Sequence, residues 1–222
     1  MGLTIGYKIS TNITPEALIE SLQTIRSACM DLPFEEVGEV KRIQITQDII
    51  DTWGELQTKY SWPNNTEKNL AFRDAEMKRL GVSTWEMIEY TCGHWEPGEI
   101  ISLNLWPGQG CESANFIFVK VKSDADYKCH SFCKTQFSEN FVTHHLLVIK
   151  ILDMFKEMGF DIEVNDEGEF WETRDLRKLA KNINEYTDLL SSLFKICQSQ
   201  EKICGTSVKS PIETCKNYMK VE

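Results

Sequence analysis

From Asn140 to Met158 the chain carries Leu146, Leu147, Val148, Ile149, Ile151, Leu152 and Phe155, which occupy most of the circumference of a helix. Such a helix has no broad face to offer to water, so it belongs in the interior. Upstream of it the pattern is that of a β-meander. Ile101, Leu103 and Leu105 alternate with Ser102, Asn104 and Trp106, Pro107-Gly108-Gln109-Gly110 turns the chain, and Phe116 and Phe118 follow. A third strand is predicted from Tyr127 to Thr135.

The first half supplies a strand and a helix in clear form. Leu3, Ile5, Tyr7 and Ile9 alternate with Thr4, Gly6 and Lys8. Thr14-Pro15 offers an N-cap and a first-turn proline, and Leu18, Leu22, Ile25, Cys29 and Leu32 recur at helical spacing up to Pro33. A second strand is expected around Val40 to Ile45, and a helix near Glu67 to Leu80 stopped by Gly81. Residues 46–98 otherwise show no clean period and read as an excursion from the main sheet. After the buried helix, Phe160, Ile162 and Val164 alternate with Asp161 and Glu163 as an edge strand with a charged outer face. Asn165-Asp166-Glu167-Gly168 is a turn. Asp175 caps a helix lined by Leu176, Leu179, Ile183, Tyr186, Leu190 and Leu193, and Ser210-Pro211-Ile212-Glu213 opens a helical tail over 205–222. Strands grouped centrally, with helices before and after, indicate one α+β domain built on an antiparallel or mixed sheet covered by helices.

Charge narrows the partners. With 24 Lys+Arg against 34 Asp+Glu the formal charge is -10, and no concentrated basic face offsets it, so nucleic acid is not an expected partner. The acids are unevenly spread: residues 153–175 hold nine against Lys156 and Arg174, a net -7. No secretion signal is apparent and no stretch approaches the ~20 apolar residues of a membrane span. A cytoplasmic protein with no membrane contact is the expectation, in which the eight cysteines are free thiols rather than a disulfide framework.

Chemistry-bearing residues concentrate in the middle. Cys92, His94, Cys111, Cys129, His130, Cys133, His144 and His145 all fall between 92 and 145. Cys133 beside Lys134, with His144 or His145 as base, is the arrangement of an activated thiol; the alternative is a core thiol with helix-capping imidazoles. A metal site drawing on Cys92, His94, Cys129 or His130 is a further reading, although on one strand Cys129 and Cys133 stand about 13 Å apart. Pro107-Gly108-Gln109-Gly110 lacks the Lys-Ser/Thr ending and strand-to-helix setting of a phosphate loop and reads as a hairpin turn. In the run Asp166 to Asp175, Phe170 and Trp171 stand among carboxylates. Glu169 with Glu172 suits acid–base work if an apolar wall raises one pKa; otherwise Trp171 anchors the turn and Arg174 pairs locally.

Several of these segments together resemble a family of bacterial proteins without an assigned activity. The resemblance rests on Gly2-Leu3-Thr4-Ile5-Gly6-Tyr7, the run Asp31 to Glu39, Pro107 to Phe116, Ser131-Phe132-Cys133-Lys134-Thr135-Gln136-Phe137, His145-Leu146, and Asp166 to Asp175. It covers most of the chain outside 46–98 and the last ~25 residues, and departs at position 6, where Gly stands in place of the family's His. It implies no reaction or cofactor. It singles out Cys111, Glu112, Asn115, Cys133, Lys134, Gln136, His145, Glu172 and Arg174 as the polar set.

The leading expectation is a site formed by the Gly-rich turn, the Cys133 strand and the Asp166–Asp175 turn that binds a small polar or cationic ligand. Cys133, His145 and Glu172 would be catalytic, and Cys111, Glu112, Asn115, Lys134, Gln136 and Arg174 would contact the ligand. This requires Cys133, His145, Glu172 and Arg174 to converge. The competing expectation is a non-catalytic protein that docks a basic protein partner through an acidic surface bearing exposed Trp53, Trp62, Trp85 or Trp95.

Overall fold

In the computed structural model, which describes residues 3–60, 64–92, 95–138 and 140–182, seven strands form one sheet in which every pair runs antiparallel. The expected α+β class is what is found, with the antiparallel alternative holding for the sheet. The strands are β1 (Thr4–Thr11), β2 (Glu36–Val37), β3 (Lys41–Ile45), β4 (Gly98–Trp106), β5 (Ala114–Val121), β6 (Tyr127–Lys134) and β7 (Asp161–Asp166). Their order is β2-β4-β5-β6-β1-β7, with β3 sharing the β4 edge beside β2. The first strand therefore sits between β6 and β7: Ile5 faces Cys133 on one side and Asp166 on the other.

Two helices cover one face. In α1 (Pro15–Met30) Thr14 Oγ1 accepts the Ala17 N–H and Pro15 sets the first turn, while Leu18, Leu22, Ile25 and Cys29 form the buried stripe. Cys29 is core, and burial pushes its thiol up to about 12. The helix stops at Met30, before the expected Leu32, and leads into a turn at 31–33. The second covering helix, α5 (Phe141–Glu157), buries Phe141, His145, Leu147, Val148, Ile149, Ile151, Leu152 and Phe155. Phe155 lies 5.0 Å from Phe116, 5.7 Å from Phe118 and 5.2 Å from Phe160, so the meander and the edge strand meet on one ring. A fully buried ring of this kind contributes about 1.5–3 kcal/mol from burial.

The stretch between β3 and β4 covers the other face. It forms α2 (Gln47–Tyr60), α3 (Glu67–Arg79) and α4 (Thr84–Thr91), of which the sequence pattern showed only α3. Trp53, Ile49, Ile50, Met77, Met87 and Tyr90 pack there on Ile100, Ile117, Val119 and Val121. β4 and β5 are thus buried on both sides, and β4 does not keep the polar face that its alternation suggested. Ser102 is buried, and its hydroxyl donates to Glu86 Oε1 at 3.0 Å. Glu86 Oε2 accepts the Ser83 N–H at 2.8 Å while Ser83 Oγ accepts the Glu86 N–H at 3.1 Å, a capping box that opens α4. One carboxylate therefore closes a helix start and fastens it to the sheet.

The opposite half of this face carries no helix among the described residues: Lys8, Lys128, His130, Phe132, Asp161 and Glu163 are exposed on β1, β6 and β7. Lys8 pairs with Glu163 at 3.3 Å. A short helix, α6 (Phe170–Thr173), follows β7, and helical structure resumes at 176–182 with Asp175 Oδ1 accepting the Arg177 N–H. The later positions of the expected helix (Ile183, Tyr186, Leu190 and Leu193), the expected tail at 205–222, Trp62, His94, Cys197, Cys204 and Cys215 lie outside the described residues. Among the described residues no helix is long and apolar enough to cross a membrane.

Glu86→Ala removes both the cap and the Ser102 bond, and should lower stability to urea by about 2 kcal/mol. A midpoint unchanged from the parent would show that α4 is held to the sheet by apolar contact alone.

Candidate functional site

Two polar centres flank the start of α5, one on each of its adjacent histidines. Successive side chains on a helix are about 100° apart, so when one points inward the next is turned aside. His145 is the inward one and is fully buried. Its Nε2 stands 3.2 Å from Asp166 Oδ1 and its Nδ1 3.2 Å from Thr135 Oγ1. An ionised carboxylate only accepts, so Nε2 carries a proton, and in the neutral ring Nδ1 accepts from the threonine.

Asp166 also gathers the backbone beyond β7. Its Oδ1 accepts the Gly168 N–H at 2.7 Å, and its Oδ2 accepts those of Phe170 at 2.8 Å and Trp171 at 2.9 Å. Burial alone would raise its pKa. The His145 bond and charge and the backbone donors outweigh burial and hold it below the usual carboxylate value. Gly168 is needed for close approach: a Cβ there would come within 3.0 Å of both Asp166 Oδ1 and His145 Cε1 and 2.7 Å of Leu179.

The second centre forms where the Gly-rich turn meets the loop before α5. Gly110 has φ +81°, and a Cβ on it would collide with the Phe137 carbonyl; a Cβ on Gly108 would collide with the His144 ring. The two glycines are thus the condition for close approach, not a phosphate cradle. They let Cys111 reach His144, with Sγ 3.5 Å from Nδ1. Ser138 Oγ lies 2.5 Å from the same nitrogen and accepts the Asn140 N–H at 3.1 Å. Trp106 Nε1–H donates to the Cys111 carbonyl at 3.2 Å and steadies the turn. Cys111 and His144 are both half-buried. Burial pushes the Cys111 thiol up to about 11, opposed by the Ser138 hydroxyl and reinforced by the Glu35 carboxylate. Burial lowers His144, and Glu35 works against that. The resting pair is therefore a neutral thiol beside a neutral base.

The residues singled out from sequence are divided among separate environments. Cys133 is fully buried and donates its S–H to the Glu112 carbonyl at 3.1 Å, and burial raises its pKa well above the usual thiol value. His145 belongs to Thr135 and Asp166. Glu172 is exposed on α6. Arg174 makes a bidentate pair with Asp153 at 2.7 and 2.8 Å and stacks 4.7 Å from the Trp171 ring. Among the described residues no hydrogen bond or ion pair joins Cys133, His145, Glu172 and Arg174 to one another. Strand parity turns Cys133 into the core and leaves it without a hydrogen bond to His145, whereas Cys111 is the thiol that stands beside an imidazole, that of His144.

Lys134 pairs with Glu112 at 3.5 Å beside this centre, and Gln136 is half-buried in the loop that follows β6. The Asn115 backbone carbonyl accepts from Tyr7 Oη at 3.0 Å and from the Cys129 thiol at 4.0 Å, which makes it an internal acceptor. Cys129 points inward on β6 and His130 outward, so that pair cannot share an ion. Among the described residues no group of three or more His, Cys, Asp or Glu is placed to hold a metal. Ser138, Thr135 and Asp166 were not singled out from sequence. The readable signal was the pair of adjacent histidines with hydroxyls close upstream. Comparison with protein-family models, with curated proteins and with solved structures finds no match.

Asp166→Asn should cost about 3 kcal/mol, since it removes the charged acceptor on which the buried His145 N–H and three backbone N–H groups converge. The depressed Asp166 pKa gives stability that is present above the unfolded carboxylate pKa of about 3.9 and lost as pH falls through the folded value. Denaturation midpoints measured from pH 7 to pH 2 should therefore fall more steeply in the parent than in the Asn variant. Parallel curves would assign acid sensitivity elsewhere.

Proposed function

We propose that the chain binds a small neutral or cationic ligand beside the Gly-rich turn and attacks it through Cys111, with His144 as general base. The observation that supports this reading is the half-buried thiol held 3.5 Å from an imidazole nitrogen. The thiol proton passes to Nδ1, sulfur bonds to an electrophilic carbon of the ligand, and the leaving group departs with its electron pair, taking the proton from the imidazolium where it needs one. Glu35, whose charge is felt by both Cys111 and His144, disfavours an anionic ligand. Exposed Phe137 lies next to Gly110 and offers apolar contact.

A second reading, docking of a protein partner, is favoured by a different observation. Trp85 is 40% and Trp95 55% exposed, whereas Trp53 is buried and its Nε1–H donates to Thr91 Oγ1. Ile88, one turn from Trp85 on α4, is also exposed.

The thiol reading is tested by site-resolved alkylation, because other cysteines, including exposed Cys92, will also react. Peptide mass spectrometry should show that His144→Ala slows iodoacetamide labelling of Cys111 at pH 7 by about a hundredfold. In the parent the rate should hold as pH drops to about 6.5 and decline below it, because burial keeps His144 unprotonated past the ordinary imidazole value. Iodoacetate should react more slowly than iodoacetamide, and Glu35→Gln should narrow the ratio by about threefold. Equal labelling in parent and His144→Ala would remove the nucleophile assignment.

A further inference from the structure

We infer that Ser138 is a positioning residue of this site: its hydroxyl sets the His144 tautomer at rest and turns to the Cys111 sulfur once the thiol proton has moved to Nδ1. The inference rests on the reading of Cys111 as nucleophile, and it identifies what allows a half-buried thiol to ionise.

A hydroxyl has one proton and two acceptor positions. One acceptor position of Ser138 is taken by the Asn140 N–H at 3.1 Å, which fixes the oxygen at the mouth of α5. The backbone fixes it too, through Ser138 N–H donating to the Thr135 carbonyl at 3.2 Å. The proton then points to His144 Nδ1 at 2.5 Å. That nitrogen is the acceptor, so the ring proton sits on Nε2. Nδ1 has a single in-plane lone pair, and at 3.5 Å the thiol is the weaker of two claimants for it.

Moving the thiol proton to Nδ1 changes every role at once. Nδ1–H becomes a donor, and the second acceptor position of Ser138 faces it. The serine proton loses its acceptor just as a thiolate appears next to the same nitrogen. After the swing, Ser138 accepts from Asn140 and His144 and donates to sulfur, so no donor is stranded. The proton balance is complete: sulfur loses one, Nδ1 gains one, and the hydroxyl keeps its own. A hydrogen bond to the charged form favours that form, and bonds to charges are stronger than neutral ones.

The test is the pH–rate profile of Cys111 alkylation by iodoacetamide in the full chain, for the parent, Ser138→Ala and His144→Ala. Ser138→Ala should react about tenfold more slowly at pH 7, with its profile displaced to higher pH. If His144→Ala is slow and Ser138→Ala superimposes on the parent, the inference is overturned while the nucleophile reading stands. If His144→Ala matches the parent, both fail. The nitrogen-15 shifts of His144 in the parent protein provide a measurement that needs no variant. A neutral ring with Nδ1 unprotonated and Nε2 protonated is expected, and the opposite tautomer overturns the inference.

Discussion

The buried pair of His145 and Asp166 joins three parts of the chain that are distant in sequence. It ties the N-terminal half of α5 to the end of β7, and through Thr135 to the end of β6. Asp166 alone accepts from three backbone N–H groups and one imidazole, so most of its acceptor capacity is used. Removing a charged partner from so enclosed a place costs more than the bond itself contributes, because the remaining group keeps its desolvation penalty. The neighbouring His144 inherits its position from this clasp. It stands one residue along the same helix, and the Thr135–Ser138 turn that carries its serine partner begins at the threonine bound to His145.

The second constraint is steric rather than electrostatic. Cys111 reaches His144 because Gly108 and Gly110 allow backbone to lie where side chains would otherwise stand. The resulting site has its thiol and imidazole both neutral at rest, in contrast to a preformed ion pair. Burial raises the one pKa and lowers the other. Such a pair gains reactivity only by moving a proton, which is why the hydroxyl between them matters.

The fold was legible where its signals are local. Thr14-Pro15 marks the start of α1, the charged alternation marks β7 as an edge, and the apolar run of α5 marks a helix packed on the core. Val142, Thr143, Lys150, Lys156 and Glu157 nevertheless leave one side of α5 to water, so it does not lie in the interior as its sequence suggested. α2 has apolar Ile49, Ile50, Trp53 and Leu56 at helical spacing, but Gly54 and threonines interrupt the pattern. α4 was missed although Ser83 and Glu86 spell its capping box. The site was less legible because its partners are chosen by docking, not by neighbourhood. Cys133 and His145 are the members of their surroundings that face inward, and inward residues are spent on the core. Cys111 and His144, each on the less buried side, are left to meet. Of the nine acids in residues 153–175, four have a basic partner within the fold: Asp153 with Arg174, Asp166 with His145, Glu163 with Lys8 and Glu169 with Lys178.

The dependence of Cys111 chemistry on a buried clasp that does not touch it runs through His144 and Ser138. It is tested most directly by labelling Cys111 with iodoacetamide at pH 7 in Asp166→Asn, under conditions where circular dichroism shows the variant folded. Loosening the clasp should let His144 and Ser138 drift, so the account predicts labelling slowed by about tenfold or more. Labelling at the parent rate in a folded Asp166→Asn protein would contradict it.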